Sequence, residues 1–386
     1  MGYEIISADT HLDITWLPGD MFVEGAPSDM KERMPRVKDT DAGPRWMVED
    51  TDLAGVGGGG LTGNFSRYVR GQSKLLDKMD DVGFFEGIDD GVYHPSSADL
   101  RVKDQDIDGV DAEVIYGILA IGGGAFSIPG FRDPAVLATV YNVYNAWVGD
   151  FVKANPQRMA ALGCLSVHDP QDAARQLRLA AESGLRGAEI NVKKMTKPMY
   201  HGAWDPLWAV SEELGMPVSF HTLGLELRGP DPEDQAEYGT IHQGMSTVTF
   251  QLSGAEIVSG VVLSGACERY PGFRFVLGEC GIGWIPYVIE RLDMEYDDKF
   301  FRLGLNLKPS EYWRRQGYST FQYEYVSMDQ VERIGVDSIM WGSDYPHPDG
   351  VFPESRKVID ETLGHLEPDV FRKIVCENAA NLYGFN

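Results

Sequence analysis

The chain has 386 residues, of which 43% are apolar, and a formal net charge of −25 at pH 7. This length and apolar content suit one large enzyme domain with a sizeable buried core. The acidic balance argues against a nucleic-acid partner, because phosphates must be neutralised by Lys and Arg, and against an anionic membrane surface. We therefore expect a small-molecule substrate, with no nucleic acid and no membrane as partner.

The chain has four cysteines, and none forms a C-x-x-C pair: Cys164, Cys267, Cys280 and Cys376. Cys164 and Cys280 lie in or beside apolar strand-like runs, so buried free thiols are favoured over disulfides. The first residues lead directly into a predicted strand, without the pattern of a signal peptide. No uninterrupted apolar run reaches membrane-spanning length. A cytoplasmic enzyme is therefore expected.

The first predicted strand is residues 3–8 (YEIISA), and it ends at Asp9-Thr10-His11. A long insertion follows, about 16–103, which is rich in Gly, Pro and Asp. This composition predicts an irregular segment, and a segment of such length is uncommon unless it is functional. We expect it to cap the mouth of the domain or to form a subunit interface.

From Asp111 onward, strand-like and helical segments alternate. The predicted strands are 112–118, 159–167, 187–191, 217–221, 274–279, 321–325 and 338–342. The predicted helices are 134–153, 170–183, 204–214, about 243–268, 285–301 and 329–334, and more helices close the chain. A second insertion is predicted over 223–243.

Eight strand–helix units in strict alternation predict a parallel sheet, and their number predicts closure into a single-domain (β/α)8 TIM barrel. An open doubly wound sheet is the alternative architecture. Its usual glycine-rich dinucleotide fingerprint is absent after the first strand, where Asp9-Thr10-His11 stands instead. The barrel is therefore the preferred prediction.

Polar side chains recur where the predicted strands end. Asp9 and His11 follow strand one, His221 ends strand five, Glu279 ends strand six, and Asp344 follows strand eight. In a barrel the C-terminal ends of the strands meet at one rim, where catalytic residues lie. Imidazole and carboxylate groups are ligands that suit zinc, manganese or iron(II). The pattern predicts that these five residues form a divalent-metal site.

Each of these residues alone has an ordinary structural explanation, such as a turn, a core histidine or a helix cap. The metal site is inferred from their coincidence at four strand ends. His242, in the second insertion, is a further candidate to contact substrate or a second metal, although a solvated loop histidine explains it equally well. His347 follows Asp344 by three residues and is a candidate to support the metal ligands.

Five segments resemble the amidohydrolase superfamily, and more narrowly the "amidohydrolase 2" family that contains aromatic-acid decarboxylases. The resemblance spans nearly the whole chain. The segments are 7–11 (SADTH), 219–221 (SFH), 274–284, 340–347 (MWGSDYPH) and 377–384 (ENAANLYG), and the last two are the most specific.

The resemblance implies that His11, His221 and Asp344 bind the metal, and that Asp9 joins them. The chain departs from the family pattern at two points. Asp13 stands where the family often has the second histidine of His-x-His. Glu279 stands where strand six often ends in a histidine, the proton donor of the decarboxylases. The catalytic residues are accordingly expected to be Asp344 and Glu279 as acid/base groups, with His242 beside them.

Three functions are compatible with this reasoning. The first is hydrolysis or decarboxylation of a small organic acid at one divalent metal, with zinc expected before manganese or iron. The second, implied by the family branch of two-component 2-aminoisobutyrate hydroxylases, is a dinuclear non-haem iron oxygenase. The third is a metal-bound scaffold paralogue. Assembly as a homo-oligomer, or as a hetero-oligomer with a paralogous subunit, is expected.

Overall fold

The computed structural model describes residues 2–41, 43–57, 68–71, 73–119, 131, 133–222, 224–225 and 227–385. The strands within these residues are β1 (Ile6–His11), β2 (Arg36–Thr40), β3 (Gly43–Val48), β4 (Thr51–Gly55), β5 (Ala112–Tyr116), β6 (Met159–Leu165), β7 (Gly187–Ile190), β8 (Val218–His221), β9 (Phe275–Gly278), β10 (Gly317–Phe321) and β11 (Ile339–Trp341).

Eight of the strands form one parallel sheet in the order β1-β5-β6-β7-β8-β9-β10-β11. The two ends of the sheet meet just beyond β11. There the His11 amide donates to the Tyr345 carbonyl at 2.6 Å, and the Asp344 amide donates to the Asp9 carbonyl at 2.9 Å. These bonds close the sheet, so the predicted (β/α)8 TIM barrel is confirmed.

Helices follow the barrel strands and cover the outside of the sheet. The α-helices among the described residues are α1 (Met21–Gly25), α2 (Lys74–Asp81), α3 (Ala98–Asp108), α4 (Pro134–Val152), α5 (Pro170–Glu182), α6 (Asp205–Leu214), α7 (Gln235–Thr249), α8 (Gly254–Leu263), α9 (Ala266–Arg269), α10 (Ile285–Glu295), α11 (Pro309–Gln316), α12 (Met328–Ile334), α13 (Ser355–Leu363), α14 (Pro368–Arg372) and α15 (Asn378–Tyr383).

The seventh barrel strand lies four residues earlier than predicted, at 317–321 instead of 321–325. The alternating aromatic residues Phe321, Tyr323 and Tyr325 imitate a half-buried strand. Strands of a parallel barrel are covered on both faces, however, and four of the five residues of β10 are buried. Tyr323 and Tyr325 are about two-thirds exposed and lie beyond the strand.

The prediction that 16–103 has no regular structure is wrong for its described part. This insertion contains α1, the antiparallel sheet β2-β3-β4, α2 and most of α3. Trp46 of β3 is fully buried and packs edge-on against Phe22 of α1. The Gly, Pro and Asp residues that suggested an irregular loop are also common in the tight turns between such short elements.

The boundary of the second insertion also needs correction. The helix predicted from about 243 begins at Gln235 as α7, so nine of the 21 residues of the expected loop 223–243 belong to this helix. The stretch Pro232–Leu263, with α7 and α8, is long and apolar enough to cross a membrane by length and composition, which for one helix is weak evidence. All four cysteines are buried and free, as predicted.

Candidate metal centre

The five predicted ligands lie together at the C-terminal rim of the barrel. His11 Nε2 is 3.3 Å from Asp9 Oδ1 and 3.1 Å from Asp344 Oδ1. His221 Nε2 is 3.7 Å from Asp9 Oδ1 and 3.6 Å from Glu279 Oε2. Asp9 and His11 are two residues apart on β1, so their side chains leave the strand on the same side. Residues up to 335 positions apart in sequence thus form one cluster.

Four atoms of this cluster are buried and have no hydrogen-bond partner: Asp9 Oδ1, His11 Nε2, His221 Nε2 and Asp344 Oδ2. Buried polar atoms are nearly always paired, so each exception needs a physical explanation. Asp9, His11 and His221 each offer a ligand atom within 4.8 Å of the other two. Imidazole nitrogens and carboxylate oxygens at this separation fit a divalent cation of the zinc, manganese or iron type.

The opposite sides of two ligands are held by neighbouring groups. The Thr320 hydroxyl on β10 donates to Asp9 Oδ2 at 2.6 Å and accepts from the Glu279 amide at 2.6 Å. His221 Nδ1 lies 3.3 Å from the Thr222 carbonyl. Such contacts orient the ligands and leave Asp9 Oδ1 and His221 Nε2 facing the cluster. Thr320 was missed because its strand was predicted over 321–325, which begins one residue after it.

His347 supports the cluster from one side. Its Nδ1 is 3.0 Å from Asp344 Oδ1, its Nε2 is 2.9 Å from Asp13 Oδ2, and its ring stacks on His11 at 4.0 Å between centroids. Asp13, the first departure from the family pattern, therefore anchors His347. The contacts of His347 agree with the supporting role for which it was a candidate.

Two acidic residues of the rim have left-handed backbones, with φ of 51° at Glu279 and 57° at Asp344. Non-glycine residues adopt this conformation at a cost of about 1–3 kcal/mol, and such residues concentrate at functional sites. Glycines allow the strands to approach closely there. A Cβ at Gly342 would lie 2.6 Å from Asp9 Cβ, and one at Gly278 would lie 3.0 Å from His221 Cδ2.

The electrostatics of the cluster favour positive charge. Burial and the charge of His347 lower the pKa of His11, but the neighbouring carboxylates of Asp344 and Asp9 outweigh them and raise it to about 9. Burial, followed by the charges of Asp344 and Asp349, raises the pKa of Glu279 well above its usual range. Glu279, Asp344 and Asp349 offer carboxylate oxygens within 4.8 Å of one another. Asp349 belongs to this acidic group although sequence reasoning missed it.

A buried arginine holds the C-terminal end of β1 in place through contacts with Thr10 and His11. Arg101 of α3 forms an ion pair with Glu113 and donates to the His11 carbonyl at 2.9 Å and to Thr10 Oγ1 at 3.0 Å. It is fully buried. The first insertion therefore positions the strand that carries Asp9 and His11. Sequence reasoning missed Arg101, because charged residues on predicted surface segments are usually solvated.

A cavity of about 900 Å³ adjoins the cluster at His221. The charged residues Lys193 and Glu256 line it. Its apolar lining comes from the segment after β7, the segment after β8 and α8: Val192, Pro198, Met199, Leu225, Ile257 and Leu263. An apolar pocket beside a few polar groups is the usual form of a small-molecule site. The cavity therefore gives an apolar ligand access to one side of the cluster.

His242 lies on α7, with its ring next to Gly229, where an added Cβ would be 3.6 Å from His242 Cε1. The groups of possible metal ligands found among the described residues do not include it. Its Nε2 is buried and has no hydrogen-bond partner. The catalytic role suggested for His242 stays a prediction.

Residues 119–385 match the model of an amidohydrolase family. A gamma-resorcylate decarboxylase from Polaromonas sp. is 26% identical over 258 residues, which cover 63% of this chain and 75% of that protein. Among solved structures, an amidohydrolase from Mycobacterium avium subsp. paratuberculosis is similar with a TM-score of 0.72, 18% identity and full coverage of both chains.

A dihydroxybenzoic acid decarboxylase from Polaromonas sp. is similar with a TM-score of 0.60 and 22% identity, over 80% of this chain and 93% of that one. Its structure contains bound manganese and the inhibitor 2-nitroresorcinol. At these identities the two structural matches show a shared fold.

Proposed function

Because the chain belongs to the amidohydrolase family, we propose that it is a metal-dependent decarboxylase of small aromatic carboxylic acids. The observation that carries the proposal is the set of four buried, unpartnered ligand atoms at the barrel rim. The decarboxylases among its relatives support this reaction. They lend no support to the oxygenase alternative.

We assign the metal to Asp9, His11, His221 and Asp344. Zinc was expected from the ligand types, and the manganese in the dihydroxybenzoic acid decarboxylase makes manganese an equal candidate. When bound, a divalent ion supplies Lewis acidity that polarises the oxygens of the substrate. Thr320 and His347 hold Asp9 and Asp344 in place through the contacts described above.

In the proposed reaction, the bond between the ring carbon and the carboxylate breaks, carbon dioxide leaves, and the ring carbon gains a proton. Glu279 is the residue we assign as the proton donor. It ends the same strand as the histidine donor of the decarboxylases that the chain resembles, and its Oε2 is 3.6 Å from the proposed ligand His221. A positioned carboxyl group can perform such a transfer.

The aliphatic cavity beside His221 is proposed to hold the ring of the substrate. Its apolar lining suits an aromatic ring, and the proposed ligand His221 lies at its edge. A carboxylate on a ring bound there would face His221, one of the residues that would hold the metal. His242, on the helix that precedes the cavity wall, is kept as a candidate for substrate contact.

Hydrolysis is the second candidate. It is favoured by Asp344, which receives a 3.0 Å contact from His347 and is a carboxylate suited to take a proton from water. The two reactions differ in product. Decarboxylation releases carbon dioxide from a benzoate, whereas hydrolysis cleaves an amide or ester and releases none.

The test is to load the protein with manganese or zinc and to measure carbon dioxide release and ring products from a panel of hydroxybenzoates. Glu279→Gln should lower kcat by about 10²–10⁴-fold with no change in metal content. Glu332→Gln, a change at an exposed residue of α12, is the matched control. If the metal-loaded protein cleaves amides and releases no carbon dioxide, decarboxylation is ruled out and hydrolysis becomes the proposed reaction.

A further inference from the structure

Helix α7 buries none of its fifteen residues. The next helix, α8, buries half of its ten. An isolated helix of about 12–15 residues is only marginally stable in water, and most helices in proteins depend on packing of an apolar face. A helix on the outside of a folded chain with no buried residue therefore needs a packing partner.

The apolar side chains of α7 and of the turn after it form a regular row, here called the α7 stripe: Tyr238, Ile241, Met245, Val248 and Leu252. Their spacing is three, four, three and four residues. All five are exposed, from 42% at Leu252 to 82% at Val248. This is the a/d spacing with which one helix packs along another in a coiled coil.

We infer that the α7 stripe docks against the α7 stripe of a second copy of this chain. Charge favours this occupant. Each copy carries a net charge of −25, so two copies repel least when the surfaces in contact carry no charge. Residues 238–255 contain no Asp, Glu, Lys or Arg. The stripe lies within that uncharged run, and a self-complementary face is what a two-fold dimer requires.

The two helices pair in antiparallel orientation. Four acidic residues precede the stripe: Asp231, Glu233, Asp234 and Glu237. Parallel pairing would bring the two acidic segments together. Antiparallel pairing separates them by roughly the length of the helix, about 20–25 Å at 1.5 Å per residue. That separation exceeds the Debye length of about 8 Å at physiological ionic strength.

The contact extends beyond the helix. One partner contributes about 800 Å² to a stable interface, whereas the face of α7 is about 20 Å long and 10–12 Å wide. Leu225, Tyr200 and Leu303 are exposed apolar residues that line the cavity, and Ser253, next to Leu252, lines it too. The apolar surface thus continues from the stripe to the rim of the cavity, and a second copy would cover both.

A membrane is the less favoured occupant. The α8 half of Pro232–Leu263 is held in the fold, because Ile257, Val258, Val261 and Val262 are buried in the core. Insertion of the whole stretch would expose that core. The acidic residues 231–237 also oppose contact with an anionic lipid surface.

The test is sedimentation equilibrium of the full chain and of three single variants. The wild type should be a dimer, and Ile241→Glu and Val248→Glu should each raise its dissociation constant at least 100-fold. Both positions are exposed, so the charge should leave the fold and the metal content unchanged. Leu179→Glu, at an exposed apolar residue of helix α5, is the matched control and should stay dimeric.

Single cysteines test the orientation, since the four native thiols are buried. Under mild oxidation Met245→Cys, at the middle of the stripe, should form a disulfide-linked dimer. Tyr238→Cys, at its end, should not, because antiparallel pairing places the two copies of this residue far apart. Cross-linking of Tyr238→Cys would overturn the antiparallel arrangement.

Three results would overturn the docking proposal: a monomeric wild type, a dimer that survives both glutamate variants, or a dimer that Leu179→Glu disrupts equally. A monomer that cosediments with phosphatidylcholine vesicles would assign the stripe to a membrane instead. Because these readouts need no catalysis, failure of the decarboxylase assay leaves them unaffected.

Discussion

The barrel rim and the α7 stripe both contain groups without partners, but the groups are of opposite kinds. At the rim, polar atoms of Asp9, His11 and His221 are buried and make no hydrogen bond. On α7, large apolar side chains such as Ile241 and Val248 are exposed to solvent. Each arrangement is costly as it stands, because burial suits apolar groups and water suits polar ones.

The chemistry of the unsatisfied groups identifies what would satisfy them. Convergent imidazole and carboxylate atoms attract a cation, and their rigid support from Thr320 and Arg101 keeps them in place. An apolar row with a/d spacing attracts another apolar helix. The rim therefore predicts a bound cation with a defined set of ligand atoms. The α7 stripe predicts a macromolecular partner that covers an extended apolar surface. Changes to each region should affect one property and spare the other.

The largest effect is expected from His11→Ala. Its imidazole nitrogen lies between two carboxylates, at 3.3 Å from Asp9 and 3.1 Å from Asp344. The variant should contain no bound metal, and its activity should fall to the background rate. Elemental mass spectrometry of protein purified without chelators measures the metal content. Its oligomeric state should not change, because α7 is untouched.

His201→Ala removes an exposed histidine and serves as the control. It should keep the metal content of the wild type. If His11→Ala keeps the metal, the assignment of the metal to the rim is wrong. The unpartnered atoms there would then need another explanation.

An intermediate effect is expected from Thr320→Val, which keeps the shape of the side chain but removes the hydroxyl that donates to Asp9 Oδ2. Loss of such a supporting contact typically costs 10–100-fold in metal affinity or activity. Competition with a metal-sensitive chelator measures the affinity. Thr139→Val, which removes a hydroxyl that bonds a carbonyl on α4, should leave the affinity unchanged.

The ligands were predictable because ligand types and strand ends are both visible in the sequence. Asp9, His11, His221, Glu279 and Asp344 each follow an apolar run, and a barrel brings such positions to one rim. Thr320 and Arg101 were not predictable in this way. Threonine is common in strands, so its residue type does not mark a site. Arg101 can support His11 only because α3 packs onto β1, although the two residues are 90 positions apart in the sequence.

The α7 stripe shows a different limit. Its heptad spacing lies in the sequence, but the segment was predicted as a loop up to residue 243. Glycines at 239 and 244 weaken the helical pattern locally, and a row of apolar residues on a helix normally faces its own core. Only the fold shows that this row points away from it. Local patterns therefore identify chemistry better than they identify which face is left without a partner.

The smallest effect is expected at Asp108, a buried carboxylate that already has its partners. It accepts hydrogen bonds from the Ser355 amide at 2.9 Å and from the Ser355 hydroxyl. Burial raises its pKa to about 7. The folded chain therefore keeps a proton that the unfolded chain releases near pH 4, so this group stabilises the fold fully below about pH 4 and loses its contribution as pH rises through 7.

Asp108→Asn should remove that dependence, because the amide stays neutral and can still pair with Ser355. Thermal unfolding at pH 5 and pH 8 measures the difference between variant and wild type. Relative to the wild type, the free energy of unfolding of the variant should rise by at most about 1.4 kcal/mol per pH unit between these values, while its metal content and oligomeric state stay the same. A difference that is independent of pH would mean that Asp108 is ionised in the fold. Hydroxyl and amide donors alone would then be enough to hold a buried, ionised carboxylate. The buried carboxylates of the rim would then not by themselves indicate a cation.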